Sequence, residues 1–147
     1  EQQGPRIMSY EDNTLHEEQD GRTVWTLTAQ NMSVDIDTQD TTMKGIEGTF
    51  YSEDGRTLTL HADEGHMDHE TRDVVLTGSV NAAMSDGASL MANELKWTST
   101  EGTLTATGDA QVERDDLRAT GDRIMSMDEF RQFRIEGNAR IEKGASK

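Results

Sequence analysis

DVVLTGSVNAAM, residues 73–84, alternates apolar and polar side chains around a single glycine. Successive side chains of a β-strand point to opposite faces, so this alternation predicts a half-buried strand with Gly78 in its middle. Similar alternation surrounds Gly48, Gly108 and Gly137, and the four glycines are 30, 30 and 29 residues apart. A fixed period of this length indicates stacked supersecondary units.

A Leu-x-Ala pattern accompanies the glycines and occurs at residues 27–29, 60–62, 90–92 and 117–119. Each unit is predicted to contain Leu-x-Ala, a bend, a short strand, a tight loop and a long strand that carries the glycine. Turn dipeptides connect the strands: Asp54-Gly55, Asp86-Gly87, Glu101-Gly102 and Asp115-Asp116. The predicted fold is therefore all-β, an antiparallel β-jelly-roll or rolled open sheet built of repeated hairpins.

One domain is expected over residues 14–143, with a mobile lead-in at 1–13 and a tail at 144–147. Its first strand is expected at 14–17. Several units are expected to hold two separate short strands, such as 23–29 followed by 32–36. One helical turn is expected at 128–130.

Composition excludes several classes of function. The net charge of −15 at pH 7 argues against binding to nucleic acid or to an anionic membrane. The chain has no cysteine, which excludes disulfides and thiol chemistry. No stretch approaches the ~20 apolar residues of a membrane span. Because the chain begins with Glu1, a leader or anchor is suspected to be missing.

Catalytic and metal-binding patterns are weak. No Gly-x-Ser-x-Gly elbow or calcium-loop signature occurs, so no enzyme activity and no cofactor are expected. The segment from His61 to His69 is rich in imidazoles and carboxylates, which could hold a divalent ion. A solvent-facing turn in an acidic protein explains the segment equally, so both interpretations stay open.

The predicted interior contains many alanines besides the periodic glycines. Small inward residues leave room either for a lengthwise groove that accepts acyl chains or for a narrow, twisted core in which the glycines mark bulges. The last strand, Phe133 to Ile141, is long and regular. It is either a docking edge or an ordinary edge strand blunted by its charged residues.

The order of several motifs resembles the LptC family. The chain has Gly21…Trp25-x-Leu27-x-Ala29, then Phe50-Tyr51-x-x-Asp54-Gly55, and then Leu60-x-Ala62-x-x-Gly65. Leu76-x-Gly78-Ser79-Val80 follows, with Ser79 where the family usually has asparagine, and Ile135-x-Gly137-Asn138-Ala139 ends the series. The resemblance covers residues 14–142. Sister proteins of the LptA type share the glycine-led repeat, so either type is compatible with the pattern.

This resemblance implies a periplasmic protein, anchored to the inner membrane by a helix that this sequence lacks, which functions in lipopolysaccharide transport and outer-membrane biogenesis. It would receive the lipid from an inner-membrane ABC transporter and pass it to a soluble LptA-like protein. The expected groove residues are Trp25, Phe50, Leu58, Leu60, Leu76, Val80, Leu90 and Leu104. The expected partner edge is Phe133, Ile135, Gly137, Ala139 and Ile141, through which the protein could also self-associate.

A structural β-repeat module that assembles end to end without carrying lipid is the alternative. A third interpretation, a metal-dependent surface protein, depends on ion binding by the segment from His61 to His69.

Overall fold

The structure, a computed structural model, describes residues 7–127 and 132–143 of the 147-residue chain. These residues form ten β-strands: β1 (Ile7–Gln19), β2 (Arg22–Asp35), β3 (Thr41–Tyr51), β4 (Thr57–Met67), β5 (Val74–Met84), β6 (Ser89–Thr98), β7 (Thr103–Arg114), β8 (Leu117–Met127), β9 (Gln132–Glu136) and β10 (Arg140–Lys143). The helical turn expected at 128–130, the tail at 144–147 and residues 1–6 of the lead-in lie outside the described residues.

The strands form one antiparallel sheet in which each strand from β1 to β8 pairs with its neighbour along the chain. Both β9 and β10 pair with β8, β9 along residues 123–127 and β10 along residues 117–120. The predicted all-β fold of repeated hairpins in a rolled sheet is confirmed.

Strand boundaries differ from the expectation in three places. The first strand begins at Ile7, so residues 7–13 belong to the sheet and are not a lead-in. The short strands expected in pairs are halves of continuous bent strands, as in β2, which spans both 23–29 and 32–35. The last strand, expected to be continuous, is interrupted at residues 137–139.

A row of backbone distortions, here called the spine, crosses the sheet and bends its strands. In β5 and β7, Gly78-Ser79 and Gly108-Asp109 have positive φ angles, and the register shifts beside them. Buried positions in β4 change from even to odd across the spine, from Ala62 to Gly65, which is the sign of a β-bulge. The spine comprises Asp12, Gln30, Gly45, Asp63, Gly78-Ser79, Asn93, Gly108-Asp109, Asp122 and Gly137-Asn138.

The periodic glycines have two different roles. Gly78 has φ +83°, and a Cβ at this position would lie 2.6 Å from the Cβ of Asp63. It is therefore a bulge residue covered by a neighbouring polar side chain, and Gly108 and Gly137 are covered in the same way by Asn93 and Asp122. Gly48 instead is buried beside Leu27, so only this member of the four lies in the core as predicted.

The spine divides the sheet into two layers that fold onto each other. The turn layer contains the strand halves next to the short β1–β2, β3–β4, β5–β6 and β7–β8 turns. The loop layer contains the halves next to the β2–β3, β4–β5 and β6–β7 loops. Phe50 of the turn layer contacts Trp97 of the loop layer, with ring centroids 5.3 Å apart. Both layers contribute buried side chains to one apolar core.

Two loops at the edge of the loop layer share the pattern Asp-x-x-Thr-x-Asp, at residues 35–40 and 68–73. In each loop the carboxylate of the first aspartate accepts hydrogen bonds from two backbone amides. The threonine hydroxyl oxygen accepts a hydrogen bond from the backbone amide of the last aspartate. That last aspartate then accepts a bond from the next loop: Asp40 from the His69 amide at 2.8 Å, and Asp73 from the Ser99 amide at 2.9 Å. The loops are therefore joined in series.

Candidate functional site

The eight residues expected to line a groove all face the space between the two layers. Each is buried, with a relative exposure of 5% or less. They come from both layers and from six strands, β2 to β7, and they pack in a single cluster with the rest of the core. Among the described residues the buried side chains of both layers belong to this one cluster, so the two layers pack against each other in this structure.

The interior is almost free of charge. Its buried polar residues within the described part of the chain are Glu17, Thr41, Ser52 and Ser126. Glu17 is the one carboxylate of this set, and Arg72 binds its Oε1 through Nε at 3.1 Å and Nη2 at 3.0 Å. Because transferring an unpaired charge into such an interior is costly, this environment favours hydrocarbon over phosphate.

An aromatic cluster lies where the free ends of the two layers meet. Trp25 and Phe50, both from the turn layer, have ring centroids 6.3 Å apart, and Phe50 continues the cluster to Trp97. Tilted rings at these separations are favourable aromatic contacts. The side opposite the spine, here called the mouth, is therefore closed by Trp25, Phe50 and Trp97, and Glu17 lies opposite Trp25 in the strand register.

The apolar side chains at the C-terminal end of the interior are less deeply buried. Val112, Phe133 and Ile135 are only half-buried and pack against the margin of the core. Beyond them Leu117 is 49% exposed and Ile141 is 69% exposed. The core thus thins from β7 towards β10.

The segment predicted to be the partner edge is divided into two strands. Phe133 and Ile135 lie on β9 and Ile141 on β10, whereas Gly137 and Ala139 lie in the interruption. The carbonyl of Gly137 still accepts the Asp122 amide at 2.8 Å, so the segment stays on β8. In the described sheet the other side of this edge carries no neighbouring strand, and β1 forms the second such edge.

Other surfaces fit the expected ligand less well. A cleft of about 640 Å³ lies on the outer face of the turn layer and is lined mainly by threonines, Glu47, His61 and Asn81. This cleft is shallow and open, whereas pockets that hold apolar ligands enclose most of the ligand surface. His61, His66 and His69 are exposed, and no group of three metal-ligating side chains occurs within the described residues. No helix long and apolar enough to span a membrane was found in the described part of the chain.

Sequence reasoning missed Glu17 and Arg72, which are 55 residues apart. A weak local signal existed for Glu17, because it follows Leu15 by two residues and therefore shares its inward face. For Arg72 no local signal existed. Trp97 was not among the predicted groove residues, since its contact with Phe50 depends on how the sheet folds.

The protein-family model described as "Lipopolysaccharide-assembly, LptC-related" matches residues 1–141. The chain belongs to the LptC-related family. This membership confirms the resemblance seen in the motifs and supports a role in lipopolysaccharide transport.

Among solved structures, the chain is similar to LptH of Pseudomonas aeruginosa, described as the LptA-homologous periplasmic component of the conserved lipopolysaccharide transport device. The identity is 9%, the match covers 97% of this chain and 96% of LptH, and the TM-score is 0.37. The strand pairing described above, and not this similarity, defines the fold of the LptC-related chain. No curated protein matches at a significant level.

Proposed function

We propose that this LptC-related protein binds the acyl chains of lipopolysaccharide between its two layers and transfers the lipid along a periplasmic chain of proteins. The observation that carries the proposal is the apolar interior, which extends through both layers and in which the one buried carboxylate of the described residues, Glu17, lies at the mouth. Each buried methylene contributes roughly 0.8 kcal/mol, so a partly inserted acyl chain binds without specific polar contacts.

The charge of the protein is consistent with this arrangement. With a net charge of −15, the surface repels the phosphates of a glycolipid. The sugars and phosphates therefore stay in solvent while only hydrocarbon enters. This is transport without covalent chemistry, so the protein acts as a carrier and not as an enzyme.

In the proposed sequence of transfers, an inner-membrane ABC transporter supplies the lipid and a soluble LptA-like protein receives it. The protein itself is proposed to function in the periplasm, anchored to the inner membrane. The β9–β10 edge is proposed to receive the partner by strand addition, because its outer side carries no strand in the described sheet.

Photo-crosslinking tests the carrier function. A crosslinking amino acid at Leu76, which is 1% exposed, should capture lipopolysaccharide, whereas one at the adjacent Thr77 on the other face should not. Circular dichroism verifies that each variant folds. If the Leu76 variant does not fold, half-buried Val112 is the alternative interior position. Equal capture at Leu76 and Thr77 would contradict the proposal.

The partner edge has a matched control. A crosslinker at Ile141, 69% exposed on β10, should capture the LptA-like protein. Met91 is also apolar and 42% exposed, but it lies on β6 in the middle of the sheet, so it should not. Capture at Ile7 in place of Ile141 would assign the partner to the β1 edge.

The two open edges also favour a second candidate, a module that assembles end to end. A scaffold of this kind would grow with protein concentration, and crosslinks would join Ile7 of one molecule to Ile141 of another. A carrier instead shows saturable lipid binding at constant size. Light scattering with and without detergent-dispersed lipid separates the two outcomes.

A further inference from the structure

A closed circuit of contacts joins the two layers at the mouth. It begins with Glu17 on edge strand β1, which binds Arg72 in the β4–β5 loop with N–O distances of 3.0 and 3.1 Å. The carboxylate side chain of Glu17 is only 11% exposed, and the guanidinium of Arg72 covers it from the loop layer. This pair ties an edge strand of one layer to a loop of the other.

The aromatic cluster completes the circuit. Glu17 pairs in register with Trp25, and the ring contacts of Phe50 lead from Trp25 to Trp97. Trp97 pairs in register with Val74, which is two residues from Arg72. Separating the layers at this end must therefore break the Glu17–Arg72 pair and the Phe50–Trp97 contact together.

Two buried donors at the closed mouth have no partner among the described residues. They are the indole Nε1–H groups of Trp25 and Trp97, for which residues 7–127 and 132–143 supply no hydrogen-bond acceptor. A buried polar group without a partner destabilises the state that contains it. Opening the mouth gives both indoles an acceptor, either water or an ester or amide oxygen at the head of an acyl chain. The closed state thus carries a local cost at the place where the layers would separate.

We propose that Glu17 and Arg72 form a clasp on the mouth, and that release of this clasp lets the layers part so that an acyl chain enters past Trp25 and Trp97. The indole N–H groups then bind the carbonyl oxygens that link the chain to its headgroup. The identity of the chain as a lipopolysaccharide acyl group rests on the proposed function. The clasp itself rests on the contacts of Glu17, Arg72 and the aromatic cluster.

Intrinsic fluorescence reports directly on the mouth, because Trp25 and Trp97 are the two tryptophans of the chain. Glu17→Gln keeps the size of the side chain and removes its charge, so the charge-assisted bonds to Arg72 weaken. The fraction of molecules in which the mouth is open should rise on the order of tenfold. Acrylamide quenching should increase, and the emission should shift to longer wavelength.

Two further variants make the fluorescence result decisive. Arg72→Gln should give the same change from the other side of the clasp, and it replaces Glu17→Gln if that variant does not fold. Glu113→Gln removes an ion pair to Arg118 of the same 3.0 Å length within one layer, so it should leave quenching unchanged. Unchanged quenching in both clasp variants would overturn the clasp.

Crosslinking tests whether the mouth is the way in. Because the chain has no cysteine, Glu17→Cys combined with Arg72→Cys offers a single pair of thiols, which a short reducible bis-methanethiosulfonate linker can join. The linked protein should take up lipopolysaccharide, dispersed in dodecyl maltoside, at least about tenfold more slowly than the same variant capped with N-ethylmaleimide. Reducing the linker should restore uptake.

The outcomes separate the two proposals. If the capped and wild-type proteins bind no lipopolysaccharide, the proposed function fails, and acrylamide quenching of the clasp variants still decides the clasp. If uptake is equally fast with and without the linker, the lipid enters elsewhere and the mouth is not the entrance, although the carrier function stands.

Discussion

The interior between β2 and β6 and the interior near β8, β9 and β10 are closed to different degrees. In the first region Trp25, Phe50 and Leu58 are at most 1% exposed, and the clasp covers the mouth beside them. In the second region Phe133 and Ile135 are half-buried, and Ile141 is exposed. The same repeated hairpin thus produces a sealed region when neighbours cover it on both sides and an open one at the end of the sheet.

This difference indicates a division of roles. Under the proposed function, the sealed region has to open before an acyl chain enters, so its contacts would set how readily the protein accepts the lipid. The open region already presents apolar side chains and an unpaired strand edge, which suits contact with another protein. Stability measurements on matched substitutions can test this contrast.

The largest difference is expected between two phenylalanines. Phe50→Ala removes the ring that joins the two layers and should lower the free energy of unfolding by about 4 kcal/mol. Phe133→Ala makes the same chemical change at a half-buried position and should cost about 1 kcal/mol. Urea denaturation monitored by circular dichroism measures both. Similar costs would mean that the C-terminal interior is packed as completely as the rest.

Two glycines of the spine should give a smaller contrast. Gly78→Ala places a side chain at φ +83° and 2.6 Å from the Asp63 Cβ in the middle of the sheet, so strain and overpacking should together cost about 3 kcal/mol. Gly137→Ala has similar strain but lies at the divided edge, where the chain can shift, and should cost about 1 kcal/mol. The thermal midpoints of the two variants provide the measurement. An equal loss would show that the edge is as rigid as the centre.

The smallest effect concerns Asp68, in the loop that carries Arg72. The backbone amide of Thr71 bonds its carboxylate and lowers the pKa of Asp68 from 3.8. A lowered pKa in the folded state means that this carboxylate stabilises the protein above its unfolded pKa and that the contribution is lost as the pH falls through the folded value.

Asp68→Asn should therefore lower the urea midpoint at pH 7. The difference in urea midpoint between the variant and the wild type should become smaller at pH 3. Asp116→Asn, in the exposed β7–β8 turn of the open region, is the control and should have no measurable effect at either pH. If the difference in urea midpoint caused by Asp68→Asn stayed constant with pH, protonation of Asp68 would be excluded as its origin.

Local patterns in the sequence predicted much of the fold. Alternation around Gly78 and Gly108 identified the strands, and the bend after each Leu-x-Ala lies at the spine. The twin loops at residues 35–40 and 68–73 had a local signal too, since the same Asp-x-x-Thr-x-Asp pattern recurs 33 residues apart. These features depend on neighbours in the chain, which is why they can be predicted.

The mouth could not be predicted in this way. The contact of Phe50 with Trp97 and the pairing of Glu17 with Arg72 depend on how far the whole sheet bends at its spine. The role of Gly78 was also ambiguous in sequence, because an inward glycine and a left-handed bulge glycine occupy the same place in the alternation. Its φ angle and the Asp63 side chain above it distinguish the two.

The hydrogen bonds that join successive loops restrict how such a protein can gain or lose residues. Asp40 accepts a bond from the following loop and Asp73 from the one after it, so each of these two loops supplies the anchor for its successor. Duplicating or deleting one complete pair, about 30 residues, would leave each remaining anchor matched. Insertion of a single strand would instead leave an aspartate without the loop amide that it binds, and it would reverse the chain direction. The architecture therefore favours the gain or loss of complete hairpin pairs.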